Sequence, residues 1–312
     1  MADWDYDDEP IEYPQEEARP RDAKTDEAKE VLLAYFHGNP LKVFYERQLV
    51  VMFEQARRER PYMAGQGFFH WITVRALHEL IDEGGIRSVT LPRAEPVTDA
   101  AIRGEQEIVA GPRIRFFWLR RARYVARQAE AIRRLVTQFS RTEFGRALGQ
   151  QGEAMFDVAL PTKGFMPKAW NTRAWEGREW METDHNLDRV FVRDGIAYGT
   201  EIKNTLEYIG REELELKLRM CEHLRLTPLF IVRMAPKSYI QMVRQAGGYT
   251  LPFEWQQYPY GAGEFAVKVR EELNLPVDCR ARIEDGTVQR FLKWHLKEHG
   301  LEDVNSGGIH TG

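Results

Sequence analysis

HNLDRVFVRDGIAYGTEIKNT, residues 185–205, decides how the second half of this chain folds. Asp194-Gly195 is typical of the two-residue turns that join antiparallel strands, and it separates two runs rich in Val, Ile, Tyr and Phe. The stretch predicts a β-hairpin. If Asp194 and Gly195 are the turn residues, cross-strand partners mirror about them and Asp188 lies opposite Glu201. Alternate residues share a face, so Lys203 joins Glu201 on that side, with Val190, Val192, Ala197 and Gly199. The other face carries Phe191, Ile196, Tyr198 and Ile202, which suits a core. Three ionisable side chains thus gather at the open end of one hairpin, within roughly 5–8 Å of one another.

Carboxylates directly opposite each other repel unless something neutralises them. Lys203 does so in part, as a structural ion network. A divalent cation does so more completely: Mg²⁺ takes one or two carboxylates together with waters and phosphate oxygens. A lysine beside it would hold an attacking water or offset charge developing on a phosphorane. Both readings stay open at this point. Asp184 and His185 would displace Asp188 if a bulge or a different turn shifted the register.

The segments around the hairpin set its context. Ser140 with Glu143 opens a helix whose apolar set is Phe144, Leu148, Met155, Phe156 and Val158. A Trp-rich stretch follows, with Trp170, Trp175 and Trp180 at five-residue spacing among Lys168, Arg173 and Arg178. These tryptophans either pack an inserted subdomain or stack on bases. Beyond the hairpin come a helix at 211–226, an apolar strand at 228–234 and a helix near 237–246; residues 249–283 read as irregular with short strands. The order is that of an α/β unit with at least one crossover to a parallel strand. TVQRFLKWHLKEHG closes the chain as an exposed helix. Its His295 and His299 match an H-X-X-E-H string, but no third zinc ligand follows convincingly in the last residues.

Asp188, twelve intervening residues and then Glu201-Ile202-Lys203 resembles the signature of the PD-(D/E)XK nucleases, the restriction-endonuclease-like superfamily. The similarity covers about residues 140–247. Gly152-Glu153 on the preceding helix looks like the acidic residue this superfamily often carries there. Leu187 stands where the family name has Pro. The first core strand has only FDVAL or GREWMET as candidates, so the core carries an insertion. The resemblance implies a mixed sheet flanked by helices, with Asp188, Glu201 and the Ile202 carbonyl holding Mg²⁺ (or Mn²⁺ in its place). It implies Glu153 as an auxiliary ligand and Lys203 as the catalytic lysine.

Upstream, helices at about 27–38, 41–59 and 70–83 precede two strands, IRSVTL and RIRFFWL, joined by a long polar loop. That succession matches a winged helix-turn-helix, with the helix near 70–83 as the groove reader and the loop as the wing. Arg113, Arg115, Arg120 and Arg121 would meet phosphates, and Lys217 would add a contact from the second domain. The expected organisation is an acidic disordered tail (1–26), a winged-helix-like domain (27–119), a basic connecting helix (120–139), a nuclease domain (140–300) and a second tail (301–312).

Charge agrees with a polyanionic partner. The chain carries a net charge of −4 overall, yet its first 30 residues hold 12 acidic against 4 basic residues. Residues 112–146 hold ten Arg against Glu130 and Glu143. The acidic tail would compete for the same surface as the polyanion. Two cysteines do not make a disulfide framework, no apolar run approaches the ~20 residues of a membrane span, and the amino terminus lacks signal-peptide order. A cytoplasmic protein is expected. Its expected partner is DNA, with a homodimer or larger nucleoprotein assembly allowed and no membrane. The expected activity is that of a metal-dependent deoxyribonuclease; a non-catalytic DNA-binding regulator or scaffold, or an RNA nuclease, are the alternatives.

Overall fold

Asp194 and Gly195 both take left-handed backbone angles (φ +50° and +77°) in the computed structural model of the protein, the conformation of a type I′ hairpin turn. The strands on either side, Leu187–Arg193 and Ile196–Lys203, pair from Arg193↔Ile196 to Arg189↔Thr200. This is the register that the turn dictates. Asp188 and Glu201 occupy the next rung. The structure describes residues 21–54, 67–105 and 111–301.

Contacts divide the chain into two units. One comprises residues up to Ala147 with Pro259–Asp278; the other comprises Leu148–Tyr258 with the residues from Cys279 onward. The boundary therefore falls inside the helix expected to open the nuclease domain, and 259–278 leave that domain altogether.

The first unit runs α1 (Lys24–Gly38), β1 (Val43–Tyr45), α2 (Glu46–Met52), α3 (His70–Asp82), β2 (Arg87–Pro92), α4 (Asp99–Ile102), β3 (Arg113–Trp118) and α5 (Val125–Phe139). Its sheet is antiparallel in the order β1-β3-β2. Leu32, Phe36, Phe44, Leu49, Phe53, Leu77, Leu80 and Phe117 form its core. The single helix expected over 41–59 is instead a strand followed by a short helix. Val43-Phe44-Tyr45 pairs with Phe116–Trp118, a long-range partner that a local period does not reveal. Residues 55–59 lie outside the described residues. Residues 21–26, expected within the disordered tail, are ordered: α1 starts at Lys24, and Arg21 pairs with both Asp26 and Glu79. The remainder of both expected tails, save Leu301, lies outside the described residues.

The second unit takes most of α6 (Thr142–Ala159), then β4 (Met166–Thr172), a small hairpin of β5 (Ala174–Trp175) and β6 (Arg178–Glu179), β7 (Leu187–Arg193), β8 (Ile196–Lys203), α7 (Arg211–Leu224), β9 (Thr227–Val232), α8 (Lys237–Gln245) and β10 (Tyr249–Pro252). Later in the chain, α9 (Gly263–Leu273) belongs to the first unit and α10 (Asp285–Glu298) to the second. The mixed sheet has the order β10-β9-β8-β7-β4. β4, β7 and β8 are antiparallel neighbours, and β8, β9 and β10 are parallel. Each parallel step needs a crossover, which α7 and α8 provide. Phe156, Phe165, Phe191, Tyr198, Ile231 and Phe291 bury one face, while Val190, Met220, Cys221 and Leu224 bury the other.

Several expectations change here. The first core strand is MPKAWNT; residues 156–159 of FDVAL close α6 and its Leu160 opens a 3-10 turn, and only Arg178–Glu179 of GREWMET is extended. Val158, expected in the apolar set of α6, is exposed. The stretch expected to be irregular contains α9. The closing helix is not a free surface helix, because its Phe291 and His295 are fully buried. Among the described residues no helix is long and apolar enough to cross a membrane.

Gly199 lies where α7 meets the sheet. A Cβ there would come within 2.7 Å of Cys221 Sγ and 3.0 Å of Leu187 Cδ1. Replacing Gly199 with Val is expected to cost about 1–3 kcal/mol by overpacking. Thermal denaturation followed by circular dichroism should give a melting temperature several degrees lower; an unchanged value would contradict this packing.

Candidate active site

Glu201 is almost fully buried in β8, so its charge requires close partners. Two lysines supply them. Lys203, two residues along the same strand face, brings Nζ to 2.9 Å from Oε1. Lys217 of α7 brings Nζ to 2.6 Å from Oε2 and also donates to the Asn186 carbonyl. Lys217 reaches the sheet because Leu214, Lys217, Cys221 and Leu224 form the buried stripe of that helix. Glu213, one turn earlier, lies 2.8 Å from Lys203 Nζ. Asp188 Oδ2 accepts the Ile202 N–H at 2.7 Å. Asp188, Glu201, Lys203, Glu213 and Lys217 thus make one cluster at the open end of the hairpin.

The electrostatics of the cluster are unequal. Burial pushes the Asp188 carboxyl up, and the Glu201 charge pushes it further, so that it sits at about 7 despite both lysines and the Ile202 N–H. Burial would also raise Glu201, but Lys203 and Lys217 outweigh it and hold the group below the ordinary carboxylate value. Burial would lower Lys203, but Glu201, Glu213 and Asp188 reverse the sign and keep it a firm ammonium. Among the described residues the cluster sets three carboxyl groups against two ammoniums, one negative charge in excess. That charge falls on Asp188, the group most easily protonated.

Glu153 faces Arg189 rather than this cluster. Arg189 Nη2 lies 2.9 Å from Glu153 Oε2, its Nε lies 2.9 Å from Asp157 Oδ1, and Nη1 donates to the Asp188 carbonyl at 2.7 Å. One buried guanidinium therefore ties α6 to the strand that carries Asp188. Asp184 is exposed near Arg173, and His185 bonds Thr183 Oγ1, so neither replaces Asp188 in the observed register. No group of three or more His, Cys, Asp or Glu side chains arranged to hold a metal occurs among the described residues.

The expected phosphate-facing residues separate. Arg113, Arg120 and Arg121 are exposed. Arg115 is half-buried, bonded to Thr90 Oγ1 at 3.1 Å and His78 Nε2, and 3.4 Å from Glu46. Burial lifts that Glu46 carboxyl to about 7, although Arg115 and Arg47 oppose the rise. Lys217, expected at the surface, is buried on Glu201. The helix expected to read a groove, α3, is buried or half-buried at every position from His70 to Ile81.

Sequence reasoning missed three participants, Glu213, Arg189 and Asn204, and gave Lys217 a phosphate contact instead of the ion pair it makes with Glu201. Glu213 and Lys217 were legible only as the period of α7, in which a lysine occupies a core position. Arg189 and Asn204 left no local signal. Asn204 donates to the carbonyls of Leu148 and Gln257, both at 2.7 Å, and accepts the Gln257 N–H at 2.8 Å. It clamps the strand one residue beyond Lys203. His295, Tyr198 and the exposed Asp194 form a further hydrogen-bonded chain: Tyr198 Oη lies 2.5 Å from His295 Nδ1, and His295 Nε2 lies 3.0 Å from Asp194 Oδ2. This chain braces the hairpin turn, and both nitrogens of His295 are occupied. Of the three tryptophans, Trp180 is buried, Trp175 half-buried and Trp170 exposed.

No protein-family model matches the chain, and no curated protein matches it either.

The Asp188 shift has a pH signature. Folded Asp188 holds its proton up to about 7, whereas the ordinary value is 3.8. Between these values the folded state binds more protons, so this group's contribution to stability falls as pH rises from 4 to 7. Asp188→Asn is expected to remove that fall and to be more stable than the parent at pH 8 without metal. Denaturant titrations at pH 4.5 and 8 measure it, and parallel pH profiles for the two proteins would refute it.

Proposed function

We propose that the chain is a metal-dependent nuclease whose active site is the Asp188–Glu201–Lys203 cluster. One observation carries the reading: two carboxylates and a lysine share the end of one hairpin, with a carboxylate charge left uncompensated. The donor set suits a hard divalent cation, since Mg²⁺ needs only one or two carboxylates and completes its shell with waters and substrate oxygens. Asp188 and Glu201 would hold it, with the Ile202 carbonyl beside them. Glu153 would join only by giving up Arg189. Bound there, the cation would supply Lewis-acid polarisation of a phosphate and a bound water of lowered pKa.

The protein's own groups divide the remaining work. Lys203, kept protonated by three carboxylates, is a donor and offsets charge on a phosphate oxygen; it is not a base. Lys217 holds Glu201 from the far side. Arg189 holds the backbone of the strand at Asp188. The strand order of the second unit, three antiparallel strands followed by a helix and a parallel strand, supports a restriction-endonuclease-like core. The α1-β1-α2-α3-β2-α4-β3 order of the first unit supports a winged helix, with α3 too enclosed to read a groove as it stands. DNA is the substrate this reading favours.

A second reading has its own support. Both oxygens of Glu201 are already taken by ammonium groups, as in a purely structural ion network of a non-catalytic nucleic-acid-binding scaffold. One experiment separates the two. Plasmid and single-stranded DNA, with an RNA control, are incubated with Mg²⁺ or Mn²⁺ and the parent, Glu201→Ala or Lys203→Ala. The nuclease reading expects cleavage only with metal, falling at least 100-fold in both variants. Mg²⁺ should also raise the melting temperature of the parent at pH 8, but not that of Asp188→Asn. Nucleic-acid binding without metal-dependent cleavage would favour the scaffold.

A further inference from the structure

The turn between β3 and α5 presents RRARYVAR, residues 120–127, on the first unit. Arg120, Arg121, Arg123 and Arg127 are all exposed, and none has an acidic partner among the described residues. No acid stands in the first turn of α5. The arginines further along the helix differ, since Arg133 and Arg134 are both bonded to Glu130. Unshielded positive charge is therefore concentrated at this turn.

Tyr124 stands among these arginines. It is 78% exposed, and its backbone is left-handed (φ +54°, ψ +39°) although it is not glycine. A bulky residue held in that region is uncommon, and such outliers cluster where a side chain is presented for use. The turn beneath it is fixed. Gln128 accepts the Val43 N–H at 3.1 Å and donates to the Leu41 carbonyl at 2.7 Å and the Arg123 carbonyl at 2.8 Å. The Ala122 N–H bonds the Leu119 carbonyl at 2.8 Å. An aromatic ring thus projects from a braced turn, with a guanidinium on each side of it in sequence.

We propose that this turn binds single-stranded nucleic acid, with a base stacked on Tyr124 and flanking phosphates on Arg120, Arg121, Arg123 and Arg127. An exposed ring offers a π-face that any unpaired base can cover, whereas bases inside a duplex are already stacked. Four arginines match a short run of phosphates, and their contribution depends on salt through counterion release. The proposal deepens the nuclease reading by naming the form of its polyanion, and rests on it only for the purpose of binding.

The test measures fluorescence anisotropy of a labelled oligo(dT) and of a duplex of equal length, in EDTA, so that no metal-dependent cleavage intervenes. The parent should prefer the single strand, with a log–log salt slope of about −3 for four contacts. Tyr124→Phe should bind like the parent. Tyr124→Gly is the decisive variant: glycine takes the left-handed conformation freely, so its melting temperature should equal or exceed that of the parent. Its single-strand affinity should nevertheless fall about tenfold or more. Arg121→Gln with Arg123→Gln should reduce the slope by about 1.4. Single-strand affinity in Tyr124→Gly within twofold of the parent would overturn the proposal. So would tighter binding to the duplex, or equal displacement by acidic phospholipid vesicles. Cleavage lost in Glu201→Ala beside unchanged binding in Tyr124→Gly would sink this proposal alone. Tyr124-dependent binding without any cleavage would sink the nuclease reading alone.

Discussion

Burying the Glu201 carboxylate is the constraint around which the second unit is arranged. A charge removed from water must be paired and hydrogen-bonded, and breaking such a pair costs about 3–5 kcal/mol. Lys203 meets one oxygen from the same strand, and Lys217 meets the other from α7. The second contact requires α7 to lie on that face of the sheet, as a crossover between parallel strands does. The same contact explains why a lysine interrupts an otherwise apolar helical stripe.

Around that pair the charges are deliberately uneven in effect. Glu201 is the stabilised member and Asp188 the strained one, since both lysines bond Glu201 directly while burial and the Glu201 charge outweigh their pull on Asp188. Two neighbouring carboxylates with pKa values driven apart are a recurrent mark of functional sites, although structural ion networks share it. The arrangement is rigid around the cluster. Asn204 holds the strand beyond Lys203, Arg189 holds the strand at Asp188, and His295 with Tyr198 braces the turn. Such bracing fixes the positions of the cluster's side chains, which is what the proposed active site would require.

In the first unit, the Arg-rich composition conceals two different uses of arginine. Arg115 and Arg133 are internal fasteners, bound to Thr90 and His78 in one case and to Glu130 in the other. The residues at the β3–α5 turn are unshielded. A count of positive charges cannot distinguish the two groups, because the acids that neutralise some of them lie far away in sequence or on a particular helix face.

The hairpin, its turn, its register and the meeting of Asp188, Glu201 and Lys203 were legible in the sequence alone. A two-residue turn fixes which residues oppose one another, and a strand's period of two fixes which share a face. The succession of α6, β7, β8, α7, β9 and α8 was legible for a similar reason, since each has a strong local period. Local signals failed where a distant partner decides conformation. Val43–Tyr45 became a strand because β3 offered it an edge, β4 formed on β7, and the closing helix buried His295 against Tyr198. Lys217 on Glu201, Glu153 on Arg189 and Asn204 on Gln257 are likewise matters of tertiary structure. Each joins elements that the chain brings together only on folding, and no spacing along the sequence encodes those contacts.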